Sequence, residues 1–314
     1  MAKLKSIVSH HGIKFVLLLL IIGCSIINPN FFTLDNAINV ARQTVPLALI
    51  AFAEAILLIN GRTDLAAGST MCLAGLVAIS VSVATENTIL AMLAACGVAM
   101  LCSCFSSIFV AFFGLHHYIV TLAMQMAIRG FCYVYTRGMI ITQTGEKFKN
   151  LGQNSWLGIP LPIIILVIVF VAFEILLART RLGRNFYAIG GNSEAARATG
   201  IDVKKHTIIA YAISGIFIGI AGYLFASRVN TGTPNAGVGW EGQGIASAVV
   251  GGISFAGGVG TASGALVGAF IMGIIGNILN LEAVNSYIQQ IVNAALILFA
   301  VTLDVVTKRK KLGR

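Results

Sequence analysis

The sequence predicts an all-α fold: a polytopic bundle of about ten transmembrane helices with both termini cytoplasmic, with signs of a two-fold internal repeat. Three observations carry this reading. The 314-residue chain is 57% apolar and only 10% charged, whereas soluble domains carry about 25% charged residues. Mean hydropathy is +0.91, and runs such as FVLLLLIIGCSII and PIIILVIVFVAFEILLA are continuous rather than alternating, which excludes a transmembrane β-barrel. The 21 Lys and Arg against 11 Asp and Glu gather in flanks and loops. The charge of +10 therefore reads as topology-setting cations beside a lipid bilayer, with no nucleic-acid partner.

Apolar runs bounded by charge, Pro, Asn and Gly place spans at 7–27, 38–59, 66–84, 89–114, 118–135, 160–178, 207–227, 243–256, 261–280 and 287–304. The first follows Lys3, Lys5 and Lys14 and contains Ile-Ile-Gly-Cys24. A cleaved leader has such features, but the run is long enough to be a span itself. The eighth, at 14 residues, is too short to cross straight and is expected to be broken or re-entrant; without it the count is nine. With the N-terminus inside, 15 of the 21 Lys and Arg become cytoplasmic, including Arg62, Arg179, Arg181, Arg184, Arg197, Lys204, Lys205 and the 308–314 cluster. Arg137, Lys147 and Lys149 in the periplasmic loop 136–159 run against this rule, partly offset by Glu146, and Trp156 marks that loop's membrane interface. The whole of 1–314 reads as one transmembrane domain, with 179–206 as its cytoplasmic loop.

Glycine is abundant and concentrates late. Gly260, Gly264 and Gly268 fall four residues apart, a spacing that lets membrane helices approach closely. NGRTDLAAGSTMCLAGLVA at 60–78 and FAGGVGTASGALVGAFIMG at 255–273 each run from a Gly-containing turn into a small-residue helix, and their spans start 195 residues apart. The pair suggests two repeated halves, a plan common among transporters.

Side chains for chemistry are sparse. No phosphate-cradling G-x-x-x-x-G-K-[ST], no G-x-S-x-G and no H-E-x-x-H is present, so nothing argues for an enzyme and there is no catalytic residue to name. The cysteines at 24, 72, 96, 102, 104 and 132 lie in or beside apolar stretches as small hydrophobes, and Cys102-Ser-Cys104 lacks zinc spacing, so no metal site is expected. His10-His11 and His116-His117 sit at membrane edges. Within the spans the charges are Arg42, Glu54, Arg129 and Glu174. Arg42 and Glu54 are about 18 Å apart along one helix and cannot pair; Glu54 reads as a hydrogen-bonding or lining group more than as an ion relay. In GGNSEAARATG, Ser193 is expected to cap a helix beginning at Glu194, and Gly200 to end it. So short a helix is marginal alone, and is expected either to dock a cytoplasmic partner or to lie on lipid headgroups.

GGNSEAARATGI at 190–201 resembles the coupling helix of ATP-binding-cassette importer permeases through Glu194, Ala195, Ala196 and Gly200. RTRLGRNFYAIGGN at 179–192, IASAVVGGISFAGGVGT at 245–261 and DLAAGS at 64–69 resemble the ribose/galactoside/xylose branch of bacterial sugar permeases, of the type II importer kind, over about 35–305. The resemblance implies a permease in the bacterial inner membrane that translocates a monosaccharide. Its implied partners are an ATPase subunit with two nucleotide-binding domains, a periplasmic sugar-binding protein and a second permease copy, identical or paralogous. ATP and Mg would belong to the ATPase, and this chain would bind no cofactor. Ser193, Glu194, Ala195, Ala196, Arg197 and Gly200 would dock the ATPase. Asp64 and Ser69 would hold the turn after the second span; Gly257, Gly258 and Gly260 would form its later counterpart. Gln43, Thr44, Glu54, Gln125, Asn277, Gln289 and Asn293 are candidate pathway residues by their polarity within spans. One departure is Asn60-Gly61-Arg62-Thr63-Asp64, where such permeases carry an uncharged Gly-Gly-Ile-Asp-like stretch. The alternative from the residues is an ion-coupled secondary transporter of a small polar solute.

Overall fold

The computed structural model describes the backbone of residues 2–142 and 144–311 and the side chains of 15–142 and 144–302. The side chains of Lys3, Lys5, Lys14, His10, His11, Lys308, Arg309, Lys310, Lys311 and Arg314 lie outside the described set. The helices are α1 (Ala2–Ile27), α2 (Leu34–Ile59), α3 (Ala67–Thr85), α4 (Thr88–Phe112), α5 (His117–Thr136), α6 (Asn150–Gln153), α7 (Leu161–Arg179), α8 (Arg181–Gly191), α9 (Ser193–Ala198), α10 (Val203–Val229), α11 (Trp240–Val250), α12 (Ala262–Leu281) and α13 (Ser286–Lys311). The only strands among the described residues are the two-residue arms Ser155–Trp156 and Ile159–Pro160. The all-α membrane bundle is thus the observed architecture, and α2, α3, α4, α7, α10 and α12 are long and apolar enough to cross a bilayer.

Helix α2 is the axis. It is apolar all round, and a helix of that kind must be enclosed by protein or lipid; from Thr44 to Ile59 every residue is buried. Helices α7, α8, α10, α11 and α12 surround it. Phe52 of α2 lies 5.2 Å from Phe173 of α7 and 6.2 Å from Phe217 of α10, ring centre to ring centre. Helix α10 reaches α4 by a different device. Ala91, Ala95 and Ala99 form a fully buried stripe on α4, against which Gly215 and Gly219 of α10 lie. A Cβ on Gly215 would come within 2.6 Å of Met100 Cα. Lipid is as apolar as leucine, so such contacts gain from backbone proximity rather than from hydrophobic burial.

The eighth predicted span is where sequence and structure differ most. Helix α11 has 11 residues, about 16 Å of rise, and begins at Trp240, three residues before the apolar run. It ends at Gly251, and the chain turns through 252–261 before α12. Gly264 and Gly268 do serve close packing, because Cβ atoms there would run into the carbonyls of Gly251 and Ser247. Gly260 does not belong to that face: it precedes the helix and lies against Ile253. Helices α3 and α12 begin at residues 67 and 262, which preserves the spacing of the suggested repeat. Loop 136–159 folds over the end of α10: Phe148 is buried, its carbonyl accepts from Tyr223 Oη at 3.2 Å, and Gly152 N donates to Ser227 Oγ at 3.0 Å.

Candidate coupling site

The segment expected as a loop over 179–206 is mostly helical. Thr180 Oγ1 accepts from Gly183 N at 3.0 Å and opens α8. Phe186 and Ile189 turn inward on one face of α8 while its arginines point outward. The sequence reading missed this helix, although Leu182, Phe186 and Ile189 have the i, i+4, i+7 spacing that announces it. Asn192, and not Ser193, caps α9: its Oδ1 accepts from Glu194 N and Ala195 N at 3.0 Å each. Asparagine adopts the extended cap conformation as readily as serine and reaches both amides, which moves the helix start to Ser193.

Gly200 ends α9 as expected. Its φ of +87° is a left-handed conformation that side chains resist, and Gly200 N and Ile201 N close on the carbonyls of Arg197 and Ala196 at 3.0 and 3.1 Å. Ala196 tucks beneath with Ile189, Val203 and Ile201. Glu194, Ala195 and Arg197 remain exposed, and Ser193 is half-exposed. The result is a small polar foot held on an apolar footing.

Helix α8, on which the foot packs, sits on a seat made by both glycine turns. Gly258 N donates to Ile59 O at 3.0 Å, joining the turn before α12 to the end of α2. Gly190 of α8 is pressed into that joint: a Cβ there would collide with Ile59 O and come within 2.7 Å of Gly258 N. Gly61 lies against Gly190 Cα, Gly257 against the Gly190 carbonyl, and Tyr187 Oη donates to Gly260 O at 2.8 Å. Gly190, Tyr187 and Asn192 were not foreseen as site residues; the Gly-Gly pair in AIGGN was the available signal.

A second polar group is buried between α2 and α3. The turn 60–66 folds back so that Asp64 N donates to Glu54 Oε2 at 3.3 Å, while Asp64 Oδ1 accepts from Ala66 N at 2.9 Å. Asp64 thus holds its turn; the hydroxyl of Ser69 is buried with no hydrogen-bond partner among the described residues. Gln125 donates to Glu241 Oε1 at 2.9 Å, and Arg129 to the carbonyls of Pro234 and Ala236 at 2.7 and 2.8 Å. Glu241 was absent from the sequence-based candidates because it precedes the apolar run.

The other polar residues predicted to line a pathway are spread among helix contacts. Gln43 reaches Gly273 O, Thr44 packs against Gly273, and Asn277 exchanges hydrogen bonds with Asn36 at 3.0 and 3.1 Å. Gln289 donates to Asn280 Oδ1 and Val284 O at 2.9 Å each, and Asn293 is half-buried on α13. Arg42 donates to Ser155 Oγ at 2.8 Å, well away from Glu54.

The sequence matches the family described as branched-chain amino acid transport system / permease component over residues 36–301. The chain belongs to this family. Among curated proteins, the ribose import permease of Escherichia coli K12 is 39% identical over 92% of this chain and 91% of its own length. The Bacillus subtilis ribose import permease is 36% identical over 92% and 90%, and the D-allose transport system permease protein of E. coli K12 is 34% identical over 94% and 91%. No solved structure matches the chain. The permease is a multi-pass protein of the bacterial inner membrane. Its matched segment contains α9 and both glycine turns, so the foot and its seat belong to the permease core.

Proposed function

We infer that this chain is the transmembrane permease subunit of an ATP-binding-cassette importer whose cargo is a monosaccharide. One observation supports the coupling role above others: an exposed six-residue helix continues from α8, whose Gly190 makes glycine-close contacts with the turns that precede both α3 and α12. A force applied to Glu194, Ala195 and Arg197 would reach α8 through Ala196 and Ile189, and Ile59 and Gly258 through Gly190. Similarity to permeases named for ribose, allose and arabinose supports a sugar cargo.

In this reading a separate ATPase subunit with two nucleotide-binding domains docks on the foot and holds ATP and Mg. A second permease copy completes the pathway, and a periplasmic sugar-binding protein selects the sugar and delivers it. Glu54, with Gln125 beside Glu241, offers hydrogen-bonding groups where a sugar's hydroxyls would pass. The test is the ATPase rate of the purified assembly with sugar-loaded binding protein. Replacing Glu194, or Gly200→Pro, should abolish transport-linked stimulation while the permease still inserts in the membrane. Full stimulation in Gly200→Pro would contradict the assignment.

A further inference from the structure

Beside the foot lies a cavity of about 440 Å³ with an unusual lining. It is bounded by the turn after α2, the end of α4, the start of α5, α9 and the start of α10. Arg62, Arg197 and Lys204 supply three permanent cations, His116 and His117 two imidazoles, and no carboxylate among the described residues lines it. Like charges brought together from separate elements repel one another, and an anion between them removes that cost. Burial also pulls the Arg62 guanidinium down from its ordinary value, the mark of a cation held out of water without a counter-charge.

The lining is organised. Arg62 Nη1 donates to the carbonyl of Gly61 in its own turn at 3.1 Å, which leaves the remaining donors of its fork unused by that bond. His117 Nδ1 is held at 3.2 Å from Thr63 Oγ1 and its ring stacks on His116 with centres 4.6 Å apart. Lys204 extends over the Phe112 ring, 5.4 Å from its centre. The volume exceeds what a bare inorganic anion fills and falls in the range of roughly 300–1,000 Å³ typical of small-molecule sites.

We propose that this cavity binds the phosphate of an organic phosphate ester, with Arg62, Arg197 and Lys204 as its ligands. Guanidinium forks match phosphate oxygens, and a phosphate is the common anion that can satisfy cations converging from three sides. Arg62 stands on the turn that carries Asp64, and Arg197 stands on the foot. A bound phosphate therefore ties the foot to the first glycine turn, across the same seat that Gly190 occupies. The cationic residue that departs from the sugar-permease pattern, Arg62, becomes the residue that completes the site. Two sources share this chemistry, a soluble phosphate monoester and an anionic lipid headgroup.

The experiment is calorimetric titration of the full-length permease, in nanodiscs of neutral phosphatidylcholine, with inorganic phosphate and with glycerol 3-phosphate. Saturable binding is expected, tighter for the ester. It should weaken by about tenfold or more in Arg62→Gln and in Arg197→Gln, the loss of one charge-assisted hydrogen bond, and remain unchanged in Lys205→Gln, which lies outside the lining. Arg197 is exposed on a short surface helix, so its variant tests the site even if Arg62→Gln fails to fold. Repeating the titration in phosphatidylglycerol nanodiscs separates the sources: persistent binding assigns the site to a soluble ester, and lost binding assigns it to the lipid headgroup. Two results would overturn the proposal: no saturable binding in the millimolar range, or equal binding in the arginine variants.

Discussion

At the scale of single residues, the decisive groups are those that fix backbone rather than those that carry charge. Asn192 shows why a short helix can persist outside the bilayer: one side-chain oxygen satisfies two of the four amides a helix start leaves open. Asn192→Ala should cost the foot about 1 kcal/mol, and faster amide exchange at Glu194 and Ala195 would report it. The sequence made this helix legible, with Glu194 in its first turn and Gly200 at its end, but placed the cap one residue late, because Asn192 and Ser193 are both good caps and only the backbone chooses. Asp64 offers a test by pH. Burial lifts its carboxyl from 3.8 to about 6, so the folded state holds that proton more tightly than the unfolded chain does. Its stabilising contribution is complete below about pH 4 and is lost as pH rises through about 6. Asp64→Asn does not titrate, so its melting temperature should gain on the parent between about pH 4 and about pH 6 and hold that gain above. A constant gap would contradict the burial of an ionisable group in that turn.

At the scale of elements, close approach of backbones governs which helices meet. Gly190 and Gly191 are neighbours in sequence, yet a Cβ at 190 collides with Ile59 O while one at 191 meets nothing within 4 Å. Gly190→Ala should therefore cost roughly 1–3 kcal/mol of strain at the seat and depress uptake, while Gly191→Ala should transport normally; equal behaviour of the two would remove the seat from the account. Most helices were legible in the sequence, since apolar runs longer than about 18 residues admit few other readings. Helices α8 and α11 were less so. The polar, arginine-rich face of α8 disguised an amphipathic helix as a loop, and α11 begins with Trp240 and Glu241, outside the apolar run that signalled it. The spacing of Gly264 and Gly268 is legible in the sequence, and both lie against backbone of 247–251. Gly260 looked like a third member by that spacing, and only the position of the helix start removes it.

At the scale of the whole molecule, the two ends of the protein have different designs. On the side of the foot, α8 and both glycine turns form one backbone-to-backbone assembly, on which α9 packs through Ala196. At the other end of α10, loop 136–159 is held through Phe148, Tyr223 and Ser227. This asymmetry suits a machine driven from one side and loaded from the other. The polar residues that periodicity marked as pathway candidates were legible as polar groups within spans, but not as a path: Asn277 and Gln289 bond neighbouring side chains, and sequence cannot tell a helix-binding amide from a sugar-binding one. The account's central claim is that this chain moves a sugar only under force from a separate ATPase. The most direct measurement is uptake of labelled ribose, allose or arabinose into proteoliposomes holding the permease, its ATPase and the sugar-loaded binding protein. The account predicts uptake that requires ATP and the ATPase and survives an ionophore; uptake by the permease alone that collapses with an ion gradient would contradict it.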